Sequence, residues 1–281
     1  MLQNLGNVNN VPKIWQQRLY FGTWQLGGQF RSLTTAEIES LLAFALDQGI
    51  RKFDTAMVYG RGQVEAILGR VLPKDAAIVT KVPAKAKPAL ETQEPIEVYY
   101  DRDWIMRQVE GSLNRLNRDK IEILLIHNWV RQWGRNSMEP LAVLDSLRCQ
   151  KLVGRIGISL PDGFAYPLDR DIVALIDVIE TPFNLIDDWI RPELPIFREL
   201  GKEVILRSLF LQGLLLMDEA RRQVLAPADK RHRDLSRVRH LEPQSASVIL
   251  QKVWSMQTSI VIGMTSKSQI IENLRYLQSE E

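Results

Sequence analysis

The chain has 281 residues, 45% of them hydrophobic and 25% charged, with a formal net charge of +2. That balance is ordinary for a globular protein and gives no field that would draw a polyanion such as nucleic acid. A single cysteine, Cys149, excludes an internal disulfide framework and fits a reducing cytoplasm, and the 3 histidines stand in no cluster with zinc-ligand spacing.

The opening segment, MLQNLGNVNNVPKIWQQ, lacks a basic stretch followed by a continuous apolar core, so it is not expected to be a signal peptide. No stretch approaches the roughly 20 apolar residues of a membrane span. RLYFGT reads as a first strand. TTAEIESLLAFALDQGI follows, with Ile38, Leu41, Leu42, Ala45 and Leu46 at helical spacing, Thr34 or Thr35 as N-cap and Gly49 as the stop. RKFDT is a short strand, GQVEAILGRVL a helix closed before Pro73, and AAIVTKV a buried strand. DWIMRQVEGSLNRLN is a helix, IEILLIH a strand, MEPLAVLDSLRCQK a helix and GRIGIS a strand. Cys149, inside that last helix, reads as a small buried or half-buried thiol. IVALIDVIETPFN holds a short helix and a strand near VIET. RPELPIFRELG is a helix, KEVILRSL a strand, QSASVILQKVWSMQ a helix, TSIVIG a strand and SKSQIIENLRYLQ a final helix.

Alternation of this kind implies a parallel sheet, and about eight strand–helix pairs in this length favour a closed (β/α)8 TIM barrel. With no composition shift or linker, one domain over residues 1–281 is expected. GTWQLGG after the first strand is not a phosphate-cradling G-x-G-x-x-G.

In such barrels the active site lies at the C-terminal strand ends. Asp54, Lys81 and His127 end three consecutive strands, and Tyr59 follows the second. A lysine after a strand is ordinarily a solvated loop charge, and a histidine there an ordinary structural residue. Together on one rim, these four make a proton-donating site. Lys81 and Asp54 polarise the phenol of Tyr59, Lys81 stabilising its phenolate, and His127 orients a substrate oxygen.

The same residues carry a resemblance to the aldo-keto reductase family, nearly end to end. FGTWQLGG is similar to the family's first strand and loop, and DTAMVYGRGQVEAILGRVL to its Asp-Thr-Ala-x-x-Tyr-Gly signature. RSLFLQGLLL resembles its seventh strand and pyrophosphate loop, and VIGMTSKSQIIENL its C-terminal signature. The resemblance implies hydride transfer from NADPH, with NADH as the alternative, to an aldehyde or ketone. Tyr59 is then the general acid, assisted by Asp54, Lys81 and His127. It implies cofactor contacts from Gly22, Thr23, Trp24 and Asp54 at the first two strands, and from Ser159, Glu180 and Phe183 around the nicotinamide. Arg207, Ser208, Leu209, Gln212 and Gly213 would surround the pyrophosphate. Gly263, Thr265, Ser266, Lys267, Gln269 and Asn273 would face the adenosine. The reverse oxidation of an alcohol or sugar uses the same residues, and a nicotinamide-sensing protein without turnover is the third reading.

Two departures stand out. The family's Ser-Asn pair is Ser159-Leu160 here, and its glutamine on the sixth strand is Glu180, which accepts but does not donate when ionised. Phe183 stands where tyrosine is common. The substrate pocket is expected to be lined by Trp24, Tyr59, His127 and Trp129, with Trp133 nearby. The long Pro-rich loop after Lys81 would cover part of the rim. The basic stretch PADKRHRDLSRVRHLEP reads as a solvated loop. The expected partner is a small carbonyl or alcohol substrate. A monomer or weak oligomer in the cytoplasm is expected, with no membrane or nucleic-acid contact.

Overall fold

The computed structural model describes residues 13–134, 138–225 and 229–279. Eight parallel strands close into a barrel in chain order. They are β1 Leu19–Gly22, β2 Lys52–Asp54, β3 Ala77–Val82, β4 Ile121–His127, β5 Val153–Ser159, β6 Val178–Pro182, β7 Glu203–Arg207 and β8 Ser259–Gly263. β8 pairs with β1, from Leu19 opposite Ile260 to Gly22 opposite Gly263. The expected α/β barrel is therefore present, with each expected strand at or within a few residues of its predicted place.

The longer helices form the outer layer, at Thr35–Asp47, Gln63–Val71, Arg102–Leu116, Glu139–Cys149, Ala246–Trp254 and Lys267–Ser279. The first shows why the sequence folds locally. Thr34 Oγ1 accepts from the Glu37 amide, while the Glu37 carboxylate accepts from the Thr34 amide at 2.7 Å, a reciprocal cap. Ile38, Leu41, Leu42 and Ala45 bury the inner stripe, and Gly49 at φ +89° ends the run. Gly157 on β5 answers a different need: a Cβ there would lie 2.0 Å from the Val178 carbonyl oxygen, so a side chain would force the two strands apart.

Side chains of alternate residues fill the bore at three levels. At the N-terminal end, Glu203 accepts from Tyr20 at 3.1 Å and from Ser259 at 2.6 Å, and pairs with Arg155. Lys52 lies over the Tyr20 ring at 4.8 Å. Above this plug, Val79, Ile123, Leu125, Val178, Ile205 and Val261 make an apolar waist. The residues two further along the strands form the C-terminal mouth.

Three expectations need correction. Cys149 is exposed, because its helix turns that position outward. The basic stretch is not an irregular solvated loop from Asp229 onward. It contains helical turns at Lys230–Asp234 and Leu235–Val238, with Val238 fully buried. Two of its arginines find partners: Arg231 pairs with Asp229 at 2.6 Å, and Arg237 pairs with Asp187 and Asp234. Pro227 and Ala228 of that stretch lie outside the described residues. A short helix, Ile14–Arg18, precedes β1 and was not expected.

Candidate active site

Strand periodicity delivers the mouth. From Val79, Leu125, Gly157, Val178 and Ile205, a step of two residues reaches Lys81, His127, Ser159, Glu180 and Arg207. Lys52 to Asp54 is the same step on β2. Lys81 is 1% exposed, so its charge must be met within the protein. Its ammonium donates to the Asp54 carboxylate and to the Thr55 carbonyl at 3.0 Å. On its other side lies Glu180 Oε2 at 3.2 Å. Tyr59 sits on the turn after β2, its ring centre 5.8 Å from Lys81 Nζ. Positive φ at Gly60, Arg61 and Gly62 (57°, 56° and 86°) turns the chain sharply there and seats the phenol over the bore.

Electrostatics follow from this crowding. Burial raises the Tyr59 pKa above its ordinary value; Lys81 pulls it down as expected, but does not overcome burial, Asp54 and Glu180. The phenol is therefore held protonated. Burial, then Lys81, pushes the His127 pKa down to about 3, so the ring is neutral. Burial works against Glu180 ionising, yet Lys81 and Arg207 outweigh it and hold the carboxyl down at about 2. Asp54 moves the other way, raised well above its usual range by burial and by Glu180 against the pull of Lys81. Burial opposes the charge on Lys81, but its two carboxylates keep it protonated.

Asp54, Tyr59, Lys81 and Glu180 thus come together, with His127 opening on the same bore. Ser159 is also there, though not as expected: its hydroxyl donates to Glu180 Oε1 at 2.7 Å, so these two are bonded to each other. Arg207 reaches Glu180 Oε1 at 3.4 Å and donates to Asp162 at 2.9 Å, Ser208 Oγ at 3.0 Å and the Leu160 carbonyl at 2.7 Å. Thr23 donates to the Asp54 carbonyl through both its amide and its hydroxyl, which ties β1 to β2 beside Gly22. Phe183 is buried under Arg191. Leu209 is buried, and the following turn carries positive φ at Leu211, Gln212 and Gly213 after Ser208. Such clustering of costly backbone belongs to binding loops more than to plain connections.

Beyond β8, Ser266 Oγ accepts from the Gln269 amide, and Gln269 Oε1 accepts from the Thr265 amide. The side chains of Ser266 and Gln269 are thus engaged in capping their own helix. Lys267 is exposed, and Asn273 is buried on the inner face. Gly263 is exposed at the rim.

Of the expected pocket tryptophans, only Trp24 is partly exposed, packed edge-on against Phe30 at 5.3 Å. Trp129 and Trp133 are 1% and 2% exposed and form an aromatic cluster with Tyr99 and Tyr100. The loop after β3 does cover this side: Tyr100 donates to the His127 carbonyl, and Trp133 Nε1 to the Glu94 carbonyl at 3.1 Å. Sequence reasoning missed Phe164 and Trp189, which pack at 5.2 Å on the loops after β5 and β6. Their position just beyond strand ends was the available signal.

A parallel eight-stranded barrel with a buried lysine and tyrosine and a half-buried histidine at its C-terminal mouth has the placement of an enzyme active site. A sequence profile of the aldo/keto reductase family matches residues 18–280, and the chain belongs to that family of oxidoreductases, which works with nicotinamide cofactors. It is similar to the pyridoxal 4-dehydrogenase of Microbacterium luteolum, 25% identical over 92% of this chain and 89% of the relative. It is also similar to a D-threo-aldose 1-dehydrogenase of a Pseudomonas species, 27% identical over 93% and 89%. The holo form of an aldo-keto reductase from Bacillus halodurans shares the fold, with a TM-score of 0.69 and 21% identity over 92% of this chain and 86% of that one. No helix among the described residues is long and apolar enough to cross a membrane.

Proposed function

We propose that the protein is an NADPH-dependent oxidoreductase that reduces the carbonyl group of a small aldehyde or ketone, with Tyr59 as the proton donor. The observation that carries this reading is Lys81, buried between Asp54 and Glu180 and 5.8 Å from the centre of the Tyr59 ring. The residues present suit a nicotinamide. Gln212 Oε1 is an enclosed atom with no hydrogen-bond partner, and Glu180 Oε2 faces the Lys81 ammonium at 3.2 Å. Glu180 would accept from the carboxamide, and Gln212 lies on the turn expected to hold the pyrophosphate. Lys267, exposed at the first turn of its helix, would meet the 2′-phosphate.

When bound, the cofactor contributes the hydride. Tyr59 gives its phenolic proton to the carbonyl oxygen as that oxygen gains charge. Lys81 stabilises the phenolate left behind, and Asp54 keeps Lys81 in place. Neutral His127 donates a ring N–H to the same oxygen and fixes its direction. Its Nδ1 is enclosed and without a partner, so the ring is not spent on the fold. Trp24 would bound the slot on one side.

A second reading, oxidation of an alcohol with Tyr59 as the base, uses the same atoms. It is favoured by the carboxylate at position 180, where the family commonly has a neutral amide. For either direction, Tyr59→Phe is expected to lower turnover by roughly 10²–10⁴ while leaving the cofactor Kd within about twofold. Undiminished turnover would remove Tyr59 from proton transfer.

A further inference from the structure

We propose that the N-terminal end of the barrel, opposite the candidate active site, has a binding site for one small oxyanion of the phosphate class, held by Arg18, Arg198 and Lys202.

The site is a cleft of about 120 Å³ between the entry to β1, the helix Leu194–Glu199 and the first residues of β7 and β8. Arg18, Arg198, Lys202, Glu203, Thr258 and Ser259 are among its lining residues. Pockets for drug-sized ligands run to roughly 300–1,000 Å³, so the cleft is too small for a dinucleotide. At roughly 30 Å³ per water, it has the room of a few waters or of one tetrahedral oxyanion.

The cations that converge here are tied to carbonyls. Arg18 donates through Nε to the Thr258 carbonyl at 2.8 Å and through Nη2 to the Trp254 carbonyl at 2.9 Å, and its guanidinium lies 3.7 Å from the centre of the Trp254 ring. Arg198 Nη2 donates to the Met256 carbonyl at 2.8 Å, and Lys202 Nζ to the Ile176 carbonyl at 2.7 Å. These bonds aim the side chains but bring no full negative charge. Among the described residues, none of the three cations forms an ion pair. Glu203, the carboxylate of the lining, is balanced by Arg155, and its oxygens are taken by Tyr20, Ser259 and Arg155. Lys52 and Glu122, on β2 and β4, act on each other and add one charge of each sign. Three positive charges therefore stand over after every nearby acid has been counted.

Two further observations point to an anion. Arg18 is half-buried, and burial, then Arg198, brings its pKa down to about 10. The charge acting on it is thus of its own sign, and an anion shared with Arg198 would offset both causes. Thr258 is 7% exposed, and its hydroxyl has no hydrogen-bond partner. Arg198 uses one nitrogen on the Met256 carbonyl, which leaves Nε and Nη1 as a fork for two oxygens of one phosphate. An oxyanion between Arg18 and Arg198 joins the seam where β8 closes on β1 to the helix ahead of β7.

The test is a calorimetric titration of the full chain with inorganic phosphate, at an ionic strength held constant with chloride. One saturable site is expected, with a Kd of about 1 mM or tighter. Arg198 is exposed, so Arg198→Gln is expected to fold and to raise that Kd by about tenfold or more, and Arg198→Lys to recover part of the loss. Lys202→Gln is expected to weaken binding by a smaller factor. Repeating the titration with glycerol phosphate separates two sources of the same chemistry. Binding of both assigns the cleft to the head of a phosphomonoester, and binding of inorganic phosphate alone assigns it to the free anion; each supports the site. Absence of saturable binding in the wild type overturns the proposal. Equal Kd values in the wild type and both glutamine variants overturn it as well, because phosphate would then be held elsewhere on the protein. Neither outcome bears on the nicotinamide reading, which concerns the other end of the barrel.

Discussion

The two ends of the bore contain the same chemical parts in different states of completion. At the N-terminal end, Glu203 is matched by Tyr20, Ser259 and Arg155, so both of its carboxylate oxygens have partners. At the C-terminal end, Glu180 is matched by Ser159, Lys81 and Arg207, yet the neighbouring His127 Nδ1 keeps no hydrogen-bond partner. Each end has a buried tyrosine with a raised pKa, Tyr20 below and Tyr59 above, and burial is the largest cause in both. A closed polar network makes a plug. A network left open on one side, with fixed charges around it, makes a place where a ligand completes the bonding.

Substitutions at matched positions would break or sharpen this contrast. Lys81→Met leaves Asp54 and Glu180 facing each other without the ammonium between them. Turnover is expected to fall by about 10³, with a stability loss of roughly 3–5 kcal/mol in a urea melt. Lys52→Met, at the lower level on β2, is expected to keep turnover within about twofold. Equal losses in the two variants would erase the distinction between the ends.

A smaller effect is expected for Tyr20→Phe, which takes one donor from Glu203. Stability should drop by about 1–3 kcal/mol with turnover unchanged, the reverse of the pattern expected for Tyr59→Phe. Loss of activity in Tyr20→Phe would mean that the apolar waist does not separate the two networks.

The smallest effect concerns acid stability. The folded state holds His127 neutral down to about pH 3, against an ordinary value of 6.5. Below about pH 6.5 the unfolded chain binds a proton there that the folded one refuses, so stability falls as pH drops through that window. Glu180 and Glu203 add to the fall only below their ordinary value of 4.5. Between pH 6.5 and 4.5, the melting temperature of His127→Gln should therefore change less steeply than that of the wild type. Parallel curves would mean that His127 is not desolvated.

The barrel was legible because its signals are local. Apolar strands stop at Asp54, Lys81 and His127, and the intervening helices announce themselves by spacing and by the Thr34 cap. The four residues proposed for proton transfer were legible for the same reason, since Asp54, Lys81 and His127 end strands and Tyr59 lies on the turn after β2. What was not legible depends on distance across the bore. Nothing in the neighbourhood of Ser159 says that its hydroxyl is taken by Glu180, 21 residues away. Nor does the sequence near Glu180 show that it shares Lys81 with Asp54, or that burial keeps the Tyr59 phenol above its ordinary pKa. Trp129 and Trp133 were misread as rim residues because a loop after a strand end can also fold inward, as this one does against Tyr99 and Tyr100. The basic stretch was misread because its partners, Asp187 among them, lie up to 50 residues away.

The pairing of β8 with β1 has a consequence for synthesis. Arg18, at the entry to β1, donates to the Thr258 carbonyl across 240 residues of chain. A ribosome therefore releases every residue of the proposed site from Asp54 to Arg207 before the strand that closes the bore has emerged. Contacts of such long sequence separation form slowly. A nascent chain halted before Ser259 is expected to possess every proton-handling residue and to bind no cofactor, which arrested chains probed with NADPH would reveal. The protein would then be inactive until its final strand is in place, so that catalytic competence reports the end of its own assembly.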